Sequence, residues 1–482
     1  MLIIIAQNSY FCQLFSKNKK ILLSLIKSIS GIRGEIGGQV SENLTPIDIV
    51  HFTAAFCDWC KQNSTKKNIV IGRDARISGK MVSNLVCGCL VAQGFNVIDV
   101  GLSTTPTVEI MVTESDAAGG IILTASHNPE NWNALKLLNE KGEFISANAG
   151  KTLLKIAAEA KYNFVTEAKL GSYTKNKTAL QIHIDKILKL PYVKQSLIAK
   201  SNFKVVYDGI NSTGGLAIPM LLEKLGVKNV IGINDDVSGK FAHTPEPLPK
   251  NITELLEVTK NEQADVGFVV DPDVDRLAFV DENGNYFGEE YTLVAIADYI
   301  MQKTKTPSVS NLSSSKALKD ISEKHGNSHF ASAVGEVNVV EKMKAVGAKI
   351  GGEGNGGIIL PELHYGRDAL VGIALFLSFM AESKMKVSEI RSKYITYFMV
   401  KEKAQLTAGL NLDKILNEIS EKHKHIKQNK IDGVKFKFEN SWVHLRKSNT
   451  EPIIRIYAEH TSKEACNELA QKFKTELLDL IK

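Results

Sequence analysis

Residues Ala118–Pro129 read AGGIILTASHNP. Two glycines lead into the apolar triplet Ile121–Leu123, and turn-forming residues close it, so the stretch predicts a buried strand ending just before Ser126. Similar Val/Ile-rich runs ending in Gly or Asp recur as NIVIGRD (Asn68–Asp74), FKVVYDG (Phe203–Gly209) and DVGFVVDPD (Asp265–Asp273). Amphipathic segments such as PIDIVHFTAAFCDWCKQ (Pro46–Gln62) and AIPMLLEKLG (Ala217–Gly226) lie between them. Strands alternating with helices predict an α/β fold with parallel or mixed sheets. Functional groups then belong at the carboxyl ends of the strands, where the polar punctuation falls.

The chain has 482 residues, enough for roughly three domains with their own cores. A hydrophobic share of 44%, a charged share of 23% and a net charge of +6 describe a soluble globular protein. The basic excess is spread along the chain, which argues against a nucleic-acid face and suits small anionic substrates. Cys57 and Cys60 have C-x-x-C spacing, but they sit in an apolar helical pattern with no second ligand pair. They and Cys12, Cys87, Cys89 and Cys466 read as free thiols in a reducing compartment. The apolar run Ile21–Ile26 is too short for a signal-peptide core or a membrane span. A cytoplasmic protein with an N-terminal extension over residues 1–22 is therefore expected.

Lysine-rich polar stretches near 160–180 and 300–310 suggest boundaries. From about residue 395 the character changes: a strand in GVKFKFENSWVHLRKS (Gly433–Ser448), a strand in IIRIYAEH (Ile453–His460), then a helix from Ser462. That predicts a small α+β domain.

Four segments carry chemistry. Ser126 is followed by His127, Asn128 and Pro129; it is a turn residue or a nucleophile, and the absence of G-x-S-x-G disfavours an esterase elbow. Asp271, Asp273 and Asp275 alternate after an apolar strand, and three carboxylates so close suit a hard divalent ion such as Mg²⁺. An EF-hand is the rival reading, but Arg276 stands where that loop needs Gly, and LAFV (Leu277–Val280) reads as strand. GGEGNGG (Gly351–Gly357) is a glycine-dense loop whose specific hydrogen-bonding side chains are Glu353 and Asn355. LRKSNTEPIIRIYAE (Leu445–Glu459) gathers Arg446, Lys447, Ser448, Asn449, Thr450 and Arg455, which suits a phosphate.

In this order the four segments closely resemble the α-D-phosphohexomutase superfamily, from about Ser28 to the C-terminus. SGIRG (Ser30–Gly34), GRDARISG (Gly72–Gly79) and HTPEP (His243–Pro247) look like further family signatures. The resemblance implies four domains around a central cleft, three of similar α/β topology and a smaller α+β one at the C-terminus. The boundaries expected are 23–170 for the phosphoserine domain, 171–284 for the metal-loop domain, 285–394 for the sugar-loop domain and 395–482 for the phosphate-loop domain.

The resemblance further implies that Ser126 carries a phosphoryl group and, through it, shares Mg²⁺ with Asp271, Asp273 and Asp275. Lys136, aided by Arg33, would take the sugar hydroxyl's proton with a pKa lowered among cations, and His127 would share the catalytic face. Arg276, Glu353, Asn355, Arg446, Ser448, Asn449, Thr450 and Arg455 would bind substrate. The expected reaction moves phosphate between positions 6 and 1 of a sugar phosphate through a sugar 1,6-bisphosphate. Three motifs depart from the family's commoner forms: Pro272 and Ala134 each stand in place of Gly, and the usual GExSGH loop has Asn355 for its Ser and Gly357 for its His. This variant loop resembles that of a branch acting on glucosamine phosphates, with mannose or glucose phosphates as the alternative. No nucleic acid or membrane partner is expected, and the oligomeric state is not legible.

Overall fold

The computed structural model describes residues 24–28, 31–405, 411–448 and 453–481. The expected N-terminal extension, Ser30, Cys12 and the phosphate-loop residues Asn449 and Thr450 lie outside the described residues. Four sheets follow one another along the chain. The first has seven strands, in spatial order Ile26–Ser28, Gly31–Glu35, Trp132–Leu138, Gly119–Leu123, Asn68–Arg73, Asn96–Leu102 and Tyr173–Lys175. Its last four are parallel, and Gly119–Leu123 pairs antiparallel with Trp132–Leu138.

The next two sheets repeat that plan with four strands each. In the second, Val266–Val270 is parallel to Lys204–Asp208 and antiparallel to Leu277–Val280. In the third, Ile350–Glu353 is parallel to Ser308–Asn311 and antiparallel to Gly357–Ile359. Each of these sheets therefore turns one parallel strand back on itself, and residues 124–131, 271–276 and 354–356 are the three turns. The fourth sheet is antiparallel throughout, with Ser441–Lys447 beside Ile453–His460 at its centre. The α/β fold class, with three similar domains and a smaller last one, is as the sequence implied.

Local chemistry explains the elements. The helix Pro46–Asn63 starts where Thr45 accepts from the Asp48 N–H and Asp48 returns the bond to the Thr45 backbone, with Pro46 supplying a preset φ. The helix Ala369–Ser383 is almost wholly apolar from Ala369 to Met380 and buried over that span, as such a helix must be. It joins the second and third sheets in one core, with Phe376 stacked on Phe279 at 3.9 Å between ring centroids. No helix among the described residues is long and apolar enough to cross a membrane. Cys57, Cys60, Cys87, Cys89 and Cys466 are free and buried, so the C-x-x-C pair is core.

Two readings change. GVKFKFENSWVHLRKS is not one strand but a hairpin, Val434–Lys437 and Ser441–Lys447, because Phe438 N–H bonds back to Ser441 O across a polar turn. GGEGNGG is not an open loop either. Gly351–Glu353 belong to a strand in register with Gly357–Ile359, so glycine density here marks close packing rather than slack.

Candidate active site

Ser126 lies three residues beyond its strand with φ +48°, a left-handed conformation that costs a non-glycine residue energy unless neighbours enforce it. They do. Its N–H donates to Thr124 Oγ1 at 2.9 Å, and its carbonyl accepts from Arg76 Nη2 at 2.6 Å. The buried Arg76 also donates to the carbonyls of Asn128 (2.7 Å), Trp132 (3.0 Å) and Pro129, and is anchored on Asp74 at 3.0 Å. This clamp turns the Ser126 hydroxyl toward the second sheet, where it donates to Asp271 Oδ2 at 2.6 Å.

The three aspartates are completely buried and offer one carboxylate oxygen each within 4.8 Å of one another. Asp271 Oδ1 accepts the N–H groups of Asp275 and Arg276, both at 3.1 Å. Asp273 Oδ2 accepts from Lys136 Nζ (2.6 Å) and Thr105 Oγ1 (2.5 Å), and Asp275 Oδ2 accepts from Arg367 Nη2 (2.7 Å). The other oxygens of Asp273 and Asp275 are buried without a hydrogen-bond partner. Such orphaned acceptors are costly unless a ligand completes them, so this all-oxygen donor set fits a hard divalent cation. Burial and the two neighbouring carboxylates push Asp271 well above the usual carboxylate range. Burial also opposes ionisation of Asp273, but Lys136 outweighs it and holds Asp273 below that range.

One expectation is overturned. Lys136 is not a depressed lysine among cations. Burial and Arg367 lower its pKa, but Asp273 at 2.6 Å and Asp275 at 3.5 Å outweigh them and leave it raised. Arg33 stands on the same face, its Nη1 donating to Asn128 Oδ1 at 3.5 Å. His127 Nδ1 accepts from Arg276 Nη2 at 3.0 Å. Arg276, burial and Arg33 drive its pKa well below the ordinary value, so the imidazole is neutral.

A cleft of about 650 Å³ opens above these groups and takes side chains from all four domains. Arg33, Ser126, His127 and Lys136 line it from the first, Arg276 from the second, Glu353 and Asn355 from the third, and Arg446, Ser448 and Arg455 from the fourth. Glu353 is buried and already engaged: Oε1 accepts from Asn311 Nδ2 (2.8 Å) and Gly335 N–H (3.2 Å), and Oε2 from Arg367 Nη1 (3.0 Å). Asn355 folds its Oδ1 onto the Gly357 N–H at 3.3 Å. Sequence reading missed Arg76, Thr105, Asn311 and Arg367. Arg76 lies within GRDARISG and Arg367 within YGRDALVG, but nothing in either spacing announces which acceptors the guanidinium meets.

Comparison with known proteins agrees. Profiles of phosphoglucomutase/phosphomannomutase domains match in sequence: α/β/α domain I over residues 25–164, domain II over 181–284, domain III over 288–397 and the C-terminal domain over 399–476. A Thermococcus kodakarensis protein named phosphoglucomutase/phosphomannomutase is 31% identical over 90% of this chain and 95% of its own. A Sulfurisphaera tokodaii phosphoglucosamine/phosphogalactosamine mutase is also 31% identical, over 91% of this chain and 97% of its own. A crystal structure of a family member from Burkholderia thailandensis shares the fold with a TM-score of 0.82 at 22% identity, covering 95% of this chain and 97% of that one. With every domain of the family present in order, the chain belongs to the phosphoglucomutase/phosphomannomutase family and is a phosphohexomutase, an isomerase.

Proposed function

We propose that this enzyme interconverts glucosamine 6-phosphate and glucosamine 1-phosphate through a phosphoryl group carried on Ser126 and a sugar 1,6-bisphosphate. The observation that carries the reading is the 2.6 Å contact of the Ser126 hydroxyl with buried Asp271, at the floor of a cleft lined by all four domains. In the first half-reaction the Oγ–P bond of phospho-Ser126 breaks and a bond forms from phosphorus to a sugar hydroxyl oxygen. The bisphosphate turns over in the cleft, and its other phosphoryl group returns to Ser126. A divalent cation such as Mg²⁺, held by Asp271, Asp273, Asp275 and the seryl phosphate, would neutralise charge on the transferring group.

The chain's own residues do the rest. Neutral His127, with Nδ1 occupied by Arg276, carries its proton on Nε2 and donates to a phosphoryl oxygen. In the state seen here Lys136 is an ammonium, fitted to hold phosphoryl oxygens; it accepts the hydroxyl proton only after losing Asp273 and Asp275 as counter-ions. Arg446, Ser448 and Arg455 line the wall where a non-reacting phosphate sits in both orientations of the sugar, with Asn449 and Thr450 completing that loop in the sequence. Glu353 and Asn355 face the sugar, and the carboxylate favours an ammonium at C2.

The S. tokodaii relative's name supports an amino sugar. The T. kodakarensis relative, equally similar, supports mannose or glucose phosphate as the second reading. Intact mass and kinetics test both levels. Purified protein should carry one phosphate that Ser126→Ala lacks, and that variant should lose turnover on the order of 10⁶-fold, the scale seen when a serine nucleophile is removed. Near-normal turnover without Ser126 would end the phosphoserine reading. A higher kcat/KM for mannose or glucose phosphate than for glucosamine phosphate would replace the amino sugar and leave the mutase intact.

A further inference from the structure

Gly357 stands where the commoner loop carries a larger side chain, and the structure shows what fills that space. A Cβ built on Gly357 would lie 2.3 Å from Arg367 Cδ and 3.0 Å from its Cγ, well inside the roughly 3.5–4.0 Å at which carbon atoms pack. The stem of Arg367 passes directly over the glycine. Its buried guanidinium then meets three carboxylates. Nη2 donates to Asp275 Oδ2 at 2.7 Å, Nη1 donates to Glu353 Oε2 at 3.0 Å, and Nε lies 3.0 Å from Glu336 Oε2. The Arg367 backbone N–H adds a bond to Glu336 Oε1 at 3.0 Å.

We propose that Arg367 is a positioning residue that couples the sugar loop to the metal carboxylates, and that Gly357 and Arg367 are a matched pair. This rests on the reading of Asp275 as a metal ligand. The guanidinium is a rigid planar fork, so the directions of Nη1 and Nη2 are not independent. Glu353 Oε1 is fixed by Asn311 and Gly335, which leaves Oε2 to set the fork. The fork in turn holds Asp275 by Oδ2 and leaves Oδ1, buried and unpartnered, for the cation. A sugar that shifts Glu353 therefore reorients Asp275. A lysine at 367 would keep the charge but lack the fork.

Binding of Mn²⁺ by calorimetry to the intact enzyme tests the coupling, with Asp273→Asn as the control for the metal site. Glu353→Gln should weaken Mn²⁺ binding about threefold to tenfold, the coupling expected within one ion-pair network, although Glu353 is no ligand candidate. Arg367→Lys should weaken it comparably, and the double variant no more than Arg367→Lys alone. Both single variants should also raise KM for the sugar monophosphate. Gly357→Ala, whose Cβ displaces the Arg367 stem, should reproduce the Arg367→Lys effects and replaces that variant in the cycle if Arg367→Lys does not fold. Unchanged Mn²⁺ affinity in Glu353→Gln, or strictly additive effects in the double variant, would overturn the coupling. Mn²⁺ binding that Asp273→Asn leaves untouched would instead overturn the metal reading, and the coupling with it.

Discussion

A serine with φ +48° is held there by its surroundings, and Arg76 accounts for most of the hold. Its guanidinium reaches Asp74 and the carbonyls of Ser126, Asn128, Pro129 and Trp132, so it serves more acceptors than an ammonium's three N–H groups can. Arg76→Lys should therefore keep the charge but loosen the turn. If Ser126 is the phosphoryl carrier proposed above, a misplacement of about 1 Å costs on the order of 10² in rate, so kcat should fall by about that factor with the far-UV spectrum unchanged. Wild-type kcat in Arg76→Lys would mean that the Ser126–Asp271 contact suffices to hold the loop. Lys136 teaches the same lesson from the other side. Its type and place in NALK were legible, whereas the sign of its pKa shift depended on two carboxylates more than 130 residues away.

At the scale of elements, the three turns at 124–131, 271–276 and 354–356 occupy the same place in three similar sheets. The turn at 354–356 docks onto the strand after the aspartate turn: Leu277 N–H donates to Gly356 O at 3.1 Å. Gly356 has φ +87°, and a Cβ there would lie 2.3 Å from Leu277 O. Gly356→Ala should thus cost about 1–3 kcal/mol, through overpacking and a conformation that alanine disfavours, and, on the proposed role of Glu353 and Asn355, should raise KM by separating the 354–356 turn from the aspartate turn. Denaturant melts and steady-state kinetics check both; wild-type values in both would show that the docking tolerates a side chain. Apolar runs and turn residues made these strands readable. The pairing of Gly351–Glu353 with Gly357–Ile359 was hidden because glycine leaves no period-2 signal.

Across the whole molecule, a buried cluster ties the first three domains together behind the aspartates. His364 lies 3.0 Å from Glu109 of the helix Thr105–Glu114, which begins at the residue bonding Asp273. Asp368 lies 2.8 Å from His183 and 3.4 Å from His364. Burial opposes charge on His364, but its contacts with Asp368 and Glu109 outweigh it and push its pKa up to about 10. A histidine raised in the folded state contributes stability that is complete below its unfolded value of about 6.5 and is lost as pH rises through the folded value. His364→Gln should cost about 3–5 kcal/mol near pH 6, since it strips a buried pair of one partner. The gap between wild type and variant should shrink from pH 6.5 toward 10. A gap independent of pH, from melts at matched pH, would mean that His364 carries no charge in the folded enzyme.

The sequence by itself determined the α/β class, the order of the four loops and the identity of Ser126 and the three aspartates as candidates. Strand periodicity, turn chemistry and charge alternation are properties of neighbouring residues, and neighbouring residues are what a sequence displays. Only the tertiary structure decided how those candidates meet. Ser126 bonds Asp271 across 145 positions, Lys136 bonds Asp273 across 137, and Arg367 reaches Asp275 across 92. In a buried site the charge on each group is set by which opposite charge packs within about 4 Å, and that follows from domain packing rather than from local pattern.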